Sequence, residues 1–484
     1  MDAASSPPSP PPLRLVIIPW LAFGHLLPYL ELAERLASRG HRVSLVSTPR
    51  NVARLPPVRR VDLVAVPLPR VDGLPDGAES TNDVPRDKVG FLWKAFDLLG
   101  EPFGKLLAAM CADDGTRPDW IIADSFHHWA AAAALQHKVP CALLLPSASV
   151  MAAWPSVALS DNALLTAPVE RPVTMPDYEW EKIKAGYLNR NRDGVVSEMT
   201  TAKRCSLARE RCTLAAMRSC PEWELDTFWQ VAASFGKPVV PLGLLPPSPD
   251  GARRRAANGN TDGGEEDSSS PAAADDDATL RWLDAQPPNS VLYVALGSEV
   301  PLTVEQVHEL ALGLELAGTR FLWALRKPTG AAAVPDDDDD ILPPRFQDRT
   351  RGRGVVAMGW VPQLAILSHA AVGGFLTHCG RNSLIEGLLF GKPLVMLPIF
   401  GDQGPNSRLM EGRKVGLQVA RDKDGSFDRH GVAAAVRAVM VDEEARSVFV
   451  ANALKLQDIV ADKELHERYI DEFLDKLRSY TATA

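Results

Sequence analysis

Residues 360–403 read WVPQLAILSHAAVGGFLTHCGRNSLIEGLLFGKPLVMLPIFGDQ. Apolar runs alternate in this stretch with polar groups at which the runs stop: Trp360-Val361-Pro362-Gln363, Thr377-His378-Cys379-Gly380, Asn382-Ser383, Glu386 and Asp402-Gln403. An open α/β sheet places ligand-binding side chains in this way, outside the carboxyl ends of its strands. The stretch therefore predicts a doubly wound α/β fold with a ligand-binding rim.

The first half of the chain repeats this alternation of strand and helix signals. Apolar runs at 13–18, 41–46, 61–66, 120–123 and 141–145 predict strands, and leucines at helical spacing follow the first run. Near-continuous apolar strands separated by helices indicate a parallel sheet that is buried on both faces. Residues 1–12 are rich in Pro and Ser and are predicted to form a disordered tail.

A polar segment separates the first series of strands from a second one. Residues 246–278 are rich in Gly, Asn, Ser, Glu and Asp, a composition that cannot bury a core, and we interpret them as a linker. Further strands are predicted at 290–296, 321–325, 354–358, 374–377, 394–397 and 417–419. The sequence thus predicts two facing doubly wound domains with a cleft between them, at 13–245 and 279–459, followed by an amphipathic helix at about 460–484.

The composition of the chain argues against several classes of function. The formal net charge is −9, whereas a nucleic-acid-binding protein needs a basic face, so we expect no nucleic-acid partner. No uninterrupted apolar stretch reaches the ~18 residues of a membrane-spanning helix, and the amino terminus lacks the regions of a signal peptide. The six cysteines form no CxxC pair, which favours a reduced, cytoplasmic location.

No cluster of His, Asp or Glu has the spacing of metal ligands, so we expect neither a metal ion nor a bound cofactor. The acidic run at 336–340 cannot direct all its carboxylates at one ion, and like charges in such a block repel each other, which favours a hydrated loop. Nothing in the sequence indicates an oligomeric state.

Gly380, Arg381, Asn382 and Ser383 are predicted to open a helix. The amino terminus of a helix presents unpaired N–H groups and partial positive charge, which suit a diphosphate. Glu386 lies one turn beyond Asn382 and could accept hydrogen bonds from ribose hydroxyls. Ser383 and Glu386 also have the spacing of a capping box, so a purely structural role remains open.

Other side chains are predicted at the same rim. Trp360 follows an apolar strand and can stack on a nucleobase, or simply pack at the edge of the core. Asp402 and Gln403 offer acceptor and donor groups that suit the vicinal hydroxyls of a sugar. Ser298 ends another strand and adds a hydroxyl group.

His25 and Asp124 are the candidate catalytic pair. His25 is predicted in the turn after the first strand, and Asp124 at the carboxyl end of another strand in the same domain. A carboxylate can fix the tautomer of an imidazole, whose other nitrogen then takes a proton. A histidine that only satisfies a local hydrogen bond is the structural alternative.

These motifs closely resemble the signature box of plant UDP-sugar-dependent glycosyltransferases (glycosyltransferase family 1), whose fold is the two-domain GT-B fold. The segment Pro19-Trp20-Leu21-Ala22-Phe23-Gly24-His25 is similar to the branch-forming group 91, which includes enzymes that act on steviol glycosides. The resemblance implies an inverting, metal-independent transfer, with a UDP-sugar as co-substrate and UDP-glucose as the favoured donor. It also implies that the last helix crosses back onto the first domain.

The resemblance also implies roles for individual residues. Trp360 would stack on uracil beside Val361, and Gln363 and Glu386 would hold the ribose. The diphosphate would contact Ser298, His378, Gly380, Asn382 and Ser383, and the glucose would contact Asp402 and Gln403. His25 would be the base, oriented by Asp124. The family usually has Trp at position 381, where this chain has Arg381, so a preference for another sugar stays open.

The acceptor implied is a small-molecule glycoside, such as a diterpenoid (steviol) or flavonoid glycoside. Its pocket is expected among Trp20, Phe23, Trp93, His127 and Ser147 and in the region 175–204. We expect Trp20 and Phe23 to flank the approach to the base, although both could simply pack the turn.

Other functions remain as alternatives. An oxidoreductase of similar fold would carry G-x-G-x-x-G and a hydrolase G-x-S-x-G, and neither motif is present. A rhamnosyltransferase, an aglycone glucosyltransferase and a sugar-nucleotide epimerase share the expected fold. A nucleotide-sugar or small-molecule sensor that has lost catalysis is a further alternative, and the intact His25 and Asp124 speak against it.

Overall fold

A computed structural model describes residues 11–153, 175–187, 199–248, 271–297, 302–326 and 341–481. They contain two all-parallel sheets, one with seven strands in the order β3-β2-β1-β4-β5-β6-β7 and one with six in the order β10-β9-β8-β11-β12-β13. The strands are β1 (Arg14–Ile18), β2 (Arg42–Ser47), β3 (Val61–Ala65), β4 (Trp120–Asp124), β5 (Cys141–Leu145), β6 (Leu214–Met217), β7 (Val239–Pro241), β8 (Val291–Ala295), β9 (Arg320–Leu325), β10 (Gly354–Met358), β11 (Val372–Thr377), β12 (Leu394–Met396) and β13 (Gly416–Gln418). The prediction of two doubly wound α/β domains is confirmed.

Helices connect the strands on both faces of each sheet. They are α1 (Phe23–Ser38), α2 (Pro49–Ala53), α3 (Val89–Leu98), α4 (Gly100–Cys111), α5 (His128–Gln136), α6 (Ser149–Ala153), α7 (Asp177–Tyr187), α8 (Thr201–Arg211), α9 (Pro221–Ser234), α10 (Pro271–Asp284), α11 (Val304–Ala317), α12 (Phe346–Arg349), α13 (Gln363–Ser368), α14 (Arg381–Leu389), α15 (Gln403–Gly412), α16 (Arg429–Met440), α17 (Glu443–Ala461) and α18 (Lys463–Thr481). Two short 3-10 turns lie at Thr81–Asp83 and Arg86–Lys88. No helix in the described ranges is long and apolar enough to cross a membrane.

The last helix belongs to the core of the first domain. Ile470, Phe473, Leu474 and Leu477 of α18 are buried in the apolar cluster that covers one face of the seven-stranded sheet. The indole N–H of Trp120, in β4, donates to the carbonyl of Leu477 at 3.2 Å. Helix α18 therefore belongs to the same domain as β1, although the six-stranded domain lies between them in sequence.

The structure differs from the sequence-based expectations in detail. Helix α10 begins at Pro271, inside the predicted linker 246–278, of which 249–270 lies outside the described residues. His25 lies in the first turn of α1 rather than in the preceding turn, because Ala22 is extended and its carbonyl accepts the N–H groups of His25 and Leu26. Strands β6 and β7 were not predicted.

Candidate active site

His25 and Asp124 form a hydrogen-bonded pair at the carboxyl ends of two adjacent strands. Strand β1 leads into α1, which carries His25, and β4 ends at Asp124. The Nδ1 atom of His25 lies 2.6 Å from Oδ2 of Asp124, which is fully buried. Because an ionised carboxylate can only accept, Nδ1 carries a proton, and in the neutral imidazole the lone pair is therefore on Nε2. This is the tautomer that a general base requires.

The surroundings keep Asp124 ionised. Burial alone raises the pKa of its carboxyl group, but the adjacent His25 and several hydrogen bonds outweigh burial and lower that pKa below the usual value. The hydroxyl of Ser125 donates to Oδ1 of Asp124 at 3.1 Å. Asp124 is thus a charged partner for the imidazole near pH 7.

Helix α14 begins at Arg381, immediately after the turn that follows β11. Its N-cap is Gly380, and no side chain caps the helix. The first N–H groups of a helix have no partner within it, so this end can bind an anion. Ser383 lies inside the helix and Glu386 is bonded elsewhere, so the capping-box alternative is wrong.

Asn382 links the two domains directly beside the base. Its amide Nδ2 donates to the carbonyl of Gly24 at 3.0 Å. Its Oδ1 accepts from Nη1 of Arg218 at 2.5 Å. Both polar ends of Asn382 are therefore engaged with the first domain, and the helix end lies next to the residue that precedes His25.

His378 is wedged between two glycines at the same rim. A Cβ atom on Gly297, whose φ is +79°, would lie 2.6 Å from Nε2 of His378, and a Cβ on Gly380 would also collide with the ring. Burial lowers the pKa of His378 to about 4, so the ring is neutral near pH 7. Its Nδ1 is buried and has no hydrogen-bond partner among the described residues, which suits a donor to a phosphate oxygen.

A second group of side chains lies beyond β10. The indole of Trp360 is 46% exposed, and the guanidinium carbon of Arg326 lies 5.5 Å from its ring centroid. Nε2 of Gln363 donates to Oε2 of Glu386 at 2.6 Å, and the hydroxyl of Tyr293 lies 3.2 Å from Oε1 of Gln363. An exposed aromatic face thus lies near a preorganised amide–carboxylate pair.

Asp402 and Gln403 follow β12, at the start of α15. Oε1 of Gln403 accepts from the backbone N–H groups of Ile399 and Phe400 at 2.8 and 3.0 Å, which leaves its Nε2 as the donor. Burial raises the pKa of Asp402, although Arg381 acts in the opposite direction. The pair offers one acceptor group and one donor group.

The side chain of Arg381 reaches into the first domain. Its Nη2 lies 2.9 Å from Oε2 of Glu224, and Nε and Nη2 donate to the carbonyl of Arg218 at 3.1 and 2.7 Å. Arg381 was counted among the donor-binding residues, and its charge left a preference for another sugar open; its side chain is directed toward a buried carboxylate.

An aromatic cluster lies beside the catalytic pair. Trp20 is buried and stacks on half-buried Trp93, with ring centroids 3.8 Å apart. Phe126 stands edge-on to both indoles and its centroid is 5.9 Å from that of His25. Phe23 instead packs against the core on the other face of the sheet. Trp20 and Phe23 therefore pack on opposite faces of the sheet, and Phe126 is the aromatic ring in contact with His25.

A small cavity of about 10 Å³, room for about one water molecule, lies next to His127. Four of its lining side chains carry buried polar atoms without a hydrogen-bond partner among the described residues: Ser47 Oγ, Thr48 Oγ1, His127 Nδ1 and Trp129 Nε1. Burial lowers the pKa of His127 to about 3, so its ring is neutral. Neutral hydrogen-bonding groups around so small a space suit a bound water.

Some expected site residues are not tested by this geometry. Ser298 and residues 188–198 of the expected acceptor region lie outside the described residues. Val361 is buried beside Trp360, and Ser147 is half-buried after β5. Within the described ranges, no three His, Cys, Asp or Glu residues are grouped as a metal site would require.

Sequence reasoning missed several functional neighbours, among them Arg218, Glu224, Tyr293, Phe126 and Arg326. Arg218 directly follows β6, so recognition of that strand would have placed it at the carboxyl edge of the sheet. Glu224 could not be found in this way, because its position depends on a contact with the other domain.

Comparisons with known proteins agree with this geometry. Residues 270–467 match the family model described as UDP-glucoronosyl and UDP-glucosyl transferase. The chain is 36% identical to UDP-glycosyltransferase 91C1 of Arabidopsis thaliana, over 96% of this chain and 97% of that protein. It is 37% identical to UDP-glycosyltransferase 91D2 of Stevia rebaudiana (97% and 95%) and 36% identical to soyasaponin III rhamnosyltransferase of Glycine max (97% and 96%).

Solved structures share the fold. Arabidopsis thaliana UGT89C1, complexed with UDP-L-rhamnose, superposes with a TM-score of 0.72 at 24% identity, covering 97% of this chain and all of that one. A UGT transferase from Siraitia grosvenorii in complex with UDP gives 0.73 at 24% identity, with coverage of 96% and 99%. The chain therefore belongs to the UDP-glycosyltransferase family, resembles its plant group 91, and is a GT-B enzyme that takes a UDP-sugar as co-substrate.

Proposed function

We propose that this enzyme transfers glucose from UDP-glucose to a hydroxyl group of a small-molecule glycoside, with inversion to a β-linkage. The supporting observation is the short path from the catalytic pair to the donor site. His25, paired with Asp124 at 2.6 Å, follows Gly24, whose carbonyl is bonded to Asn382 at the start of α14.

In this mechanism the acceptor hydroxyl gives its proton to Nε2 of His25 while its oxygen attacks the anomeric carbon. UDP departs from the opposite face, so an α-linked donor yields a β-linked product. The negative charge on the leaving diphosphate is stabilised by the amino terminus of α14 and by His378, a preorganised electrostatic environment.

Recognition of the donor is assigned to three groups of residues. The exposed face of Trp360 would stack on uracil, and Gln363 with Glu386 would bind the ribose hydroxyls. Asp402 would accept from glucose hydroxyls, and Nε2 of Gln403 would donate to them. These assignments follow the family pattern residue by residue, and the side chains lie at the rim of the six-stranded sheet.

A glycoside acceptor is supported by the surface near His25. The half-buried ring of Phe126, which lies beside His25, offers an apolar surface for one side of a pyranose or for a terpenoid or flavonoid skeleton. A relative named as a soyasaponin III rhamnosyltransferase favours a terpenoid glycoside.

Rhamnosyl transfer is the second candidate, because one relative of similar identity is a rhamnosyltransferase. A UDP-release assay that crosses UDP-glucose, UDP-rhamnose and UDP-galactose with aglycones and their glycosides separates the two. We expect the highest kcat/KM with UDP-glucose and a glycoside, and a product that has gained one hexose on an existing sugar hydroxyl. Exclusive glucosylation of aglycones would contradict the acceptor assignment, and UDP release without any acceptor would contradict transfer itself.

A further inference from the structure

We propose that Arg381 is a positioning residue that clamps the donor-binding helix to the first domain, and that its side chain does not select the sugar. The inference rests on the proposed function, in which α14 binds the donor and His25 is the base of the same transfer reaction. It concerns the position where the family usually has Trp.

The ion pair of Arg381 with Glu224 is buried at the domain interface. The Nη2–Oε2 distance is 2.9 Å, and the two side chains are 6% and 1% exposed. The same guanidinium donates from Nε and Nη2 to the carbonyl of Arg218. These hydrogen bonds are all directed at the first domain, and the influence of Arg381 on Asp402 is through its charge alone.

Glu224 is built to receive this cation. The N–H of Ser149 donates to Oε1 at 3.0 Å, and the hydroxyl of Ser219 donates to Oε2. Burial raises the pKa of Glu224, but Arg381 and these hydrogen bonds lower it below the usual value. A Trp at position 381 could not neutralise the carboxylate, so Arg381 and Glu224 form a matched pair.

A continuous set of hydrogen bonds joins this pair to the catalytic base. Arg381 holds the backbone carbonyl of Arg218, and the Arg218 side chain donates to Asn382. Asn382 in turn donates to the carbonyl of Gly24, the residue before His25. A shift of Arg381 would therefore change the separation of the base from the donor, on which the rate of attack depends steeply.

The test removes the charge of Arg381 and then asks whether removal of the charge of Glu224 restores activity. Removal of one partner of a buried ion pair leaves an uncompensated charge, whereas removal of both charges is much less harmful. Arg381→Leu should lower kcat roughly 10- to 100-fold, change the KM for UDP-glucose far less, and leave the order of donors unchanged. Arg381→Leu combined with Glu224→Gln should recover much of the lost kcat.

The pH dependence gives a second readout. In Arg381→Leu, burial without the cation raises the pKa of Glu224, so its protonation at lower pH should raise kcat relative to that of wild type at the same pH and saturating UDP-glucose. The combined variant should lack this recovery. Arg351→Leu is the matched control. The side chain of Arg351 is 81% exposed, and its ion pair is with Asp348, three residues away on the same surface.

Several outcomes would overturn the proposal. They are additive losses in the combined variant, wild-type kcat in Arg381→Leu, or a loss confined to one donor sugar, which would make Arg381 a selector of the sugar. If the wild-type enzyme transfers none of the UDP-sugars offered, the proposed function fails instead. The same variants then test the clamp through UDP affinity by calorimetry and thermal unfolding, where non-additivity supports it and additivity refutes it. A variant that fails to fold is replaced by Glu224→Gln alone, for which the clamp predicts a lower kcat at an unchanged order of donors.

Discussion

The amide of Asn382 donates a 3.0 Å hydrogen bond to the carbonyl of Gly24 and so joins the donor-binding helix to the turn that carries the base. Asn382 belongs to the six-stranded domain and Gly24 to the seven-stranded one. The base and the amino terminus of the donor-binding helix thus lie close together but belong to different domains. Substitutions can therefore impair UDP binding or proton transfer separately.

Replacement of the base should abolish transfer but spare nucleotide binding. We expect His25→Ala to lower kcat by ~10²–10⁴-fold, the usual cost of losing a positioned general base. UDP binding, measured by calorimetry, should stay within a few-fold of wild type because the described donor residues lie in the other domain. Near-wild-type turnover in His25→Ala would exclude this residue as the base.

Asp124→Ala should impair transfer less completely than His25→Ala. Asp124 fixes the imidazole tautomer and stabilises its protonated form, but it does not itself take the proton. Because its folded-state pKa is lowered, its contribution to stability is present above the unfolded value and is lost as pH falls through the folded value. The unfolding temperature of wild type should therefore fall more steeply on acidification than that of Asp124→Ala. Parallel pH profiles would contradict this.

The ionised carboxylate of Asp402 should lower the stability of the fold while it contributes to the binding of UDP-glucose. Its folded-state pKa is raised by burial, so the ionised carboxylate destabilises the fold as pH rises above the unfolded value. We expect Asp402→Asn to increase stability at neutral pH by about 0.5–2 kcal/mol while it raises the KM for UDP-glucose. In wild type this KM should also rise on acidification, as Asp402 protonates. A KM that is independent of Asp402 would remove this residue from the sugar site.

Gly297→Ala should weaken UDP binding at least about tenfold, because its Cβ would displace His378 as well as strain the backbone. Gly318→Ala is a matched control. Its φ is +77°, close to the +79° of Gly297, but a Cβ there meets nothing within 4 Å. Both variants should lose stability, and only Gly297→Ala should lose UDP affinity in calorimetry. Equal affinities would show that His378 does not contact the nucleotide.

The residues at strand ends could be predicted because a parallel sheet gathers them at one edge. Asp124 and Gln363 were found by this rule, and each has the hydrogen-bond partner expected of an oriented polar side chain. Strand β6 escaped prediction because it is four residues long and rich in Ala, a poor strand former. Because β6 was not predicted, neither Arg218, which follows it, nor the hydrogen-bond network at the domain interface was predicted.

The direction of a side chain across the cleft could not be predicted. Arg381 and Glu224 are 157 positions apart, and no local periodicity connects them. Phe23 was expected beside the base, but the start of α1 at Phe23 turns its ring to the opposite face of the sheet. Both differences arise from tertiary packing rather than from local propensity.

Helix α18 has a consequence for the synthesis of the protein. Its residues Phe473 and Leu477 complete the apolar cluster around β1 and β4, the strands that carry His25 and Asp124. Domains generally fold in order as they leave the ribosome, but this first domain needs a helix that is made after the donor-binding domain. Until α18 emerges, one face of the seven-stranded sheet lacks part of its apolar cover, and the catalytic pair gains its final support only after the donor-binding domain has been made.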